Sequence, residues 1–230
     1  MFNEKKALLL DMNSTFMFGE DRFGESEDFS QYYLRIGGNL PKNQINKIIR
    51  SAYEYLDSRY PDEQYRHCFP SVENVIKNTT KNELTQEELS KIVDTFAFHE
   101  LGHVPEAYAM TLKKLQQHFI LAVVIDIWSP KAAWLKAFEL SGIGHLFAAA
   151  SFSSDHGMVK PSPKPFQLVL NQLGISNIDA LVIGDSPRRD LGGASAAGID
   201  CVLVGGAEHP QAAGSYKNLI EFCHTFFSQY

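Results

Sequence analysis

Cysteine is scarce in this chain of 230 residues: Cys68, Cys201 and Cys223 are all it has. An odd number without CxxC spacing supports neither a disulfide framework nor a zinc ribbon. Long apolar runs are missing too. The longest, Phe119 to Ile125, is far too short to span a bilayer. The opening Met-Phe-Asn-Glu-Lys-Lys leads into Ala7 to Leu10, which Asp11 cuts off, so no signal peptide is expected. Positive charge is in deficit, with 21 Lys+Arg against 27 Asp+Glu and a formal charge of −6. A protein that coats nucleic-acid phosphates shows a basic face, so no nucleic-acid partner is expected. With 44% hydrophobic and 21% charged residues, the chain has ordinary globular composition. The expected setting is cytoplasmic, with no membrane partner.

Short apolar runs that end in Asp, Ser or Gly occur at Lys6–Asp11, Leu121–Ser129, Leu146–Ser151, Ala180–Asp185 and Cys201–Gly205. They alternate little, as strands buried on both faces of a parallel sheet do. Helical patterns separate them at Pro105–His118, Pro130–Leu140 and Pro163–Leu173, the last two followed by Gly142 and Gly174. Strands alternating with helices predict an α/β fold, a doubly wound parallel sheet. Residues from about 18 to 103 carry no such strands. Ile45, Ile48, Ile49, Ala52 and Leu56 fall at helical spacing, and Thr85 with Glu88 forms a capping-box signature before Leu89, Ile92, Val93 and Phe96. An all-helical insertion is expected over 18–103, with a core made of 1–17 and 104–230.

In an open parallel sheet, ligands bind beyond the C-terminal strand ends. The residues there are Asp11, Ser129, Lys160 and Asp185, followed by Asp190. Three carboxylates, a hydroxyl and an ammonium suit a hard, oxygen-ligated cation such as Mg²⁺ holding a phosphate. Each residue alone has an ordinary explanation: turn former, helix cap, solvated loop cation. Their joint order at the ends of apolar runs is the signal.

These residues resemble a known family. Leu8-Leu9-Leu10-Asp11-Met12-Asn13-Ser14-Thr15 is similar to the first motif of the haloacid dehalogenase-like hydrolases, hhhDxDxT. Ile127-Trp128-Ser129 is similar to the second, an apolar strand ending in Ser or Thr. Lys160-Pro161-Ser162-Pro163 with Phe166 resembles the third, and Gly184-Asp185-Ser186-Pro187-Arg188-Arg189-Asp190 the fourth, GDxxxxD. The insertion sits where the family's helical cap sits. The resemblance implies a Rossmann-like core and a phosphatase of small phosphorylated metabolites, with Asp11 as nucleophile and an aspartyl-phosphate intermediate. It implies that Ser129 and Lys160 bind the phosphoryl oxygens. It also implies that Asp11, the Asn13 carbonyl, Asp185 and Asp190 hold Mg²⁺.

Asn13 departs from the pattern, which has a second Asp there. That Asp protonates the leaving oxygen and deprotonates the attacking water; an amide can do neither. Four readings follow. The substrate has a good leaving group; a residue such as His99 or His103 supplies the proton; the protein binds a phosphorylated ligand with little or no turnover; or Asn13 is an introduced, inactivating substitution. Dehalogenases of the family also lack the second Asp, but they need no metal, and Asp185 and Asp190 set dehalogenation below phosphate chemistry.

His99-Glu100-Leu101-Gly102-His103 matches the HExxH pattern of zinc proteases. Gly102 and Pro105 break the helix that the pattern needs, so a helix end and hinge is expected. Arg188 and Arg189 are expected to face solvent or to pair with the motif carboxylates. Asp21, Arg22 and Glu25 read as a solvated turn, and nothing singles out one of Arg35, Arg50, Arg59, Arg66 and His67 as a substrate contact.

Overall fold

The computed structural model describes residues 2–81 and 83–228. Its sheet contains β1 (Ala7–Leu10), β2 (Ile120–Ile125), β3 (Phe147–Phe152), β4 (Ala180–Gly184), β5 (Asp200–Leu203) and β6 (Gly214–Ser215). The order is β3-β2-β1-β4-β5-β6 and every pairing is parallel. The two-residue β6 is too short to leave an apolar pattern and was not expected. The other strands coincide with the apolar runs.

Alternation explains why those runs lack polar positions: both faces of the sheet are covered. Leu8, Leu10, Leu121, Val123, Leu181, Ile183 and Val202 face one apolar cluster. That cluster is closed by α5 (Glu106–Leu115), α6 (Ala132–Leu140) and α10 (Leu219–Phe227), through Leu112, Trp134 and Phe222 among others. Ala7, Leu9, Ala122, Val124 and Val182 face the other. There α8 (Lys164–Leu173) and α9 (Gly192–Ala196) supply Phe166, Val169, Leu170 and Ala194. A single turn, α7 (Ser153–His156), leads from β3 toward α8.

Between β1 and α5 the chain forms α1 (Ser30–Arg35), α2 (Lys42–Arg59), α3 (Val72–Thr79) and α4 (Gln86–Glu100). These helices have their own apolar cluster, built on Ile45, Ile49, Ala52, Leu56, Ile76, Ile92 and Phe96. Thr85 caps α4 by accepting from the Glu88 amide at 3.2 Å. The reciprocal half of the box is not made, because Glu88 takes the Tyr33 hydroxyl instead. The chain leaves and re-enters the α/β part at a two-way backbone bridge, with Phe18 and His103 donating to each other's carbonyls at 2.9 and 2.8 Å. No described helix is long and apolar enough to cross a membrane.

β2 ends at Ile125, four residues before the end of the apolar run that contains it. The chain turns at Asp126. Ile127 then packs into the core beneath the sheet, whereas Trp128 packs against the helical insertion.

Candidate active site

The strand order reverses between β1 and β4, so the crevice of a doubly wound sheet opens beyond the ends of these two strands. Asp11 follows β1 directly, its amide donating to Ile183 O at 2.8 Å, and Asp185 follows β4 directly. A π-helical turn over Pro187–Leu191 then carries Asp190 into the interior, where it is 1% exposed. Lys160 comes from the loop between α7 and α8 and is 3% exposed. Its Nζ lies 2.5 Å from Asp11 Oδ1 and 2.7 Å from Asp190 Oδ1. Asp11 Oδ2 accepts from Thr15 Oγ1 at 3.2 Å, and Asp190 Oδ2 from the Ser186 amide at 3.0 Å.

Burial pushes Asp11 up to about 7; Lys160 opposes this, and Asp190 and Asp185 reinforce it. Burial disfavours the Lys160 charge, but Asp11, Asp190 and Asp126 outweigh that and hold its pKa above the ordinary lysine range. Burial, then Asp190, also raises Asp185. Asp11, Asp185 and Asp190 each offer one oxygen within 4.8 Å of the others, the one such group among the described residues. Excess carboxylate charge with hard oxygen donors fits Mg²⁺. Asn13 lines the same cavity, with its Oδ1 buried and unpartnered among the described residues. The cavity measures about 160 Å³, room for roughly five waters.

The structure thus brings Asp11, Asn13, Lys160, Asp185 and Asp190 together. It does not bring Ser129. Ser129 is completely buried four residues beyond β2 and does not line the cavity. Its amide and that of Trp128 donate to the Glu100 carboxylate at 3.0 and 2.6 Å. The residue that follows β2 into the cavity is Asp126, whose Oδ2 accepts from the Lys160 amide at 2.9 Å and from the Tyr60 hydroxyl at 2.7 Å.

The HExxH residues do not share a helix face. α4 stops at Glu100, His99 packs edge-on against Phe29 with ring centroids 4.9 Å apart, and His103 sits exposed in the backbone bridge. Neither histidine lines the cavity, so neither is placed to supply the proton that Asn13 lacks. Arg22 holds the re-entry loop, donating to Leu101 O at 2.7 Å, while Asp21 lines the cavity. None of Arg35, Arg50, Arg59, Arg66 and His67 does so. Tyr60, Glu100, Asp126, Trp128 and Arg189 also line the cavity, without a sequence pattern that marks them for it.

Residues 42–204 match the family described as haloacid dehalogenase-like hydrolase. The chain belongs to this family. It is 35% identical over 199 residues to a glyceraldehyde 3-phosphate phosphatase of Methanopyrus kandleri, covering 86% of this chain and 83% of the relative. It is 30% identical over 169 residues to the pyrophosphatase PpaX of Halalkalibacterium halodurans, covering 70% and 75% respectively. A solved phosphatase of the same superfamily from Thermococcus onnurineus superposes with a TM-score of 0.63 at 22% identity, covering 96% of this chain and 97% of that one. The protein is therefore a haloacid dehalogenase-like hydrolase. Its helices α1–α4 form the insertion between β1 and the rest of the hydrolase sheet.

Proposed function

We propose that this hydrolase is a Mg²⁺-dependent phosphatase of small phosphorylated metabolites, acting through an aspartyl-phosphate on Asp11. The observation that carries the reading is the Lys160 ammonium held between Asp11 and Asp190, beside Asp185, in a cavity at the ends of β1 and β4. The glyceraldehyde 3-phosphate phosphatase and pyrophosphatase names of the relatives support it.

Asp11, the Asn13 carbonyl, Asp185 and Asp190 would hold Mg²⁺, which when bound neutralises phosphoryl charge. Lys160 fixes the Asp11 carboxylate for attack and offsets the neighbouring carboxylates. An Asp11 oxygen bonds to phosphorus while the bond from phosphorus to the leaving oxygen breaks, its electron pair departing with that oxygen. Water then attacks phosphorus, releasing phosphate and restoring Asp11. Asn13 can donate a hydrogen bond to the leaving oxygen but no proton. The chain is therefore suited to leaving groups that are stable as anions, such as phosphoanhydrides, acyl phosphates and aryl phosphates. A metal-dependent site does not favour dehalogenation.

The test is a phosphatase panel with Mg²⁺ and with chelator, run on the wild type and on Asp11→Asn. Metal-dependent release of phosphate that Asp11→Asn abolishes is expected, with a hydroxylamine-sensitive acyl-phosphate in quenched reactions. Turnover that survives Asp11→Asn would rule out Asp11 as the nucleophile. Absence of turnover on every substrate would favour the rival reading, a phosphate-binding protein impaired at Asn13.

A further inference from the structure

The cavity is unusually acidic for one that must admit a phosphoryl group. Asp11, Glu20, Asp21, Glu100, Asp126 and Asp185 line it, against two cations, Lys160 and Arg189. Lys160 is consumed by its two ion pairs. Arg189 makes no ion pair among the described residues, although burial is outweighed by nearby negative charge, that of Asp190, Asp11 and Asp185 included, in setting its proton affinity. The end of β2 offers the phosphoryl group no hydroxyl: Ile125 and Asp126 stand there, and Ser129 lies elsewhere.

The backbone explains how Arg189 reaches the cavity. Within the π turn over Pro187–Leu191, a feature frequent at functional sites, the two consecutive arginines point in different directions. Arg188 is exposed and donates to the carbonyl of Pro61. Arg189 is half-buried, lines the cavity, and lies over the Tyr60 ring with its guanidinium carbon 5.5 Å from the centroid. Both arginines thus meet the segment that follows α2, and the cationic wall is completed by the helical insertion.

We propose that Arg189, seated on the Tyr60 ring, binds the phosphoryl oxygens of the substrate in place of a strand-end hydroxyl. This assignment rests on the phosphatase reading above. A planar guanidinium can take two oxygens of one phosphoryl group at once, a geometry that a single hydroxyl lacks. It also supplies the cavity with a positive charge that is free to meet the incoming dianion. Tyr60 is a positioning residue here: it fixes the guanidinium plane.

The test compares wild type, Arg189→Met, Arg189→Lys, Arg188→Met and Ser129→Ala. Inorganic phosphate binding is read by titration calorimetry with Mg²⁺ present, and KM and kcat on an aryl phosphate are read in parallel. Loss of a charge-assisted bidentate contact predicts about 10- to 100-fold weaker phosphate binding and higher KM in Arg189→Met. Arg189→Lys should fall between, because the charge survives and the fork does not. Arg188→Met and Ser129→Ala should stay within about twofold of wild type, since neither side chain lines the cavity. Magnesium binding should persist in Arg189→Met, which separates loss of a phosphate contact from collapse of the site. Wild-type phosphate affinity in Arg189→Met, or a loss in Ser129→Ala as large as its own, would overturn the assignment while leaving the phosphatase reading intact. A wild type that neither binds phosphate nor hydrolyses any phosphoester would overturn both.

Discussion

The Tyr60 hydroxyl, just past the end of α2, donates to Asp126 Oδ2 at 2.7 Å, and the same oxygen accepts from the Lys160 amide at 2.9 Å. One buried carboxylate thereby ties the helical insertion to the loop that carries the ammonium facing Asp11. Tyr60→Phe keeps the ring beneath Arg189 and removes only the hydroxyl. A hydrogen bond to a buried charged group contributes about 1.5–3 kcal/mol, so urea unfolding should show a loss of that order. Because Asp126 positions the Lys160 backbone, kcat should fall more than KM rises. An unchanged kcat would show that the Lys160 loop holds itself.

Gly184 closes β4 with Asp190 pressed against it. A Cβ at this position would stand 2.3 Å from Asp190 Cγ and 2.4 Å from its Oδ2. The carboxylate has nowhere to go, since Lys160 and the Ser186 amide hold its two oxygens. Gly184→Ala should therefore destabilise the fold by about 1–3 kcal/mol through overpacking. Displacement of Asp190 from Lys160 should reduce turnover by about 100-fold. Thermal unfolding and kinetics on one purified variant check both.

Much of this was legible in the sequence, for a specific physical reason. Asp11 and Asp185 interrupt fully apolar runs, and a strand buried on both faces cannot carry a carboxylate until it ends; Lys160 and Asp190 were located by their motif neighbours. The same logic puts Ser129 at a strand end, whereas β2 stops four residues earlier, at Ile125. Ile127 and Trp128 are as apolar as strand residues, but they serve the core beneath the sheet and the insertion's cluster. The charged Asp126 was the signal that the strand had stopped. Tyr60 carries no local pattern, and neither the HExxH match around Glu100 nor the GDxxxxD motif around Arg189 points those side chains into the cavity. Their place in the cavity depends on how the insertion docks and on one irregular turn, neither of which has a periodicity to read.

Glu100 joins the end of α4 to the amides of Trp128 and Ser129, and it is 5% exposed. Burial pushes it up to about 7, with the amide bonds opposing. A carboxyl whose pKa is raised on folding binds more protons folded than unfolded, so stability falls as pH rises from about 4.5 through 7. The fall attributable to this residue is at most on the order of 3 kcal/mol. Glu100→Gln should be less stable than wild type at pH 5, because one amide would face its NH₂ group. Its stability should nonetheless decline less between pH 5 and 8. Parallel slopes in urea titrations across that range would show that Glu100 stays ionised throughout.

Asn13 is the remaining position where chemistry and sequence disagree. It lines the cavity with Asp11, yet neither His99 nor His103 does, so no histidine there replaces the missing acid. If no other cavity group protonates it, the leaving oxygen carries its charge away, and rates should depend steeply on leaving-group pKa: high for aryl or acyl phosphates, low for alkyl phosphates. Asn13→Asp restores a carboxyl that can protonate the leaving oxygen and activate water. General acid–base catalysis contributes about 10²–10⁴-fold, so alkyl phosphate turnover should rise by that order. Aryl phosphate turnover should rise less, because its departure needs little protonation. The two effects together flatten the leaving-group dependence, which a series of substrates with graded leaving-group pKa measures directly. A uniform rise across the series would instead assign the gain to water activation alone, and no rise would mean that another cavity group already carries the proton.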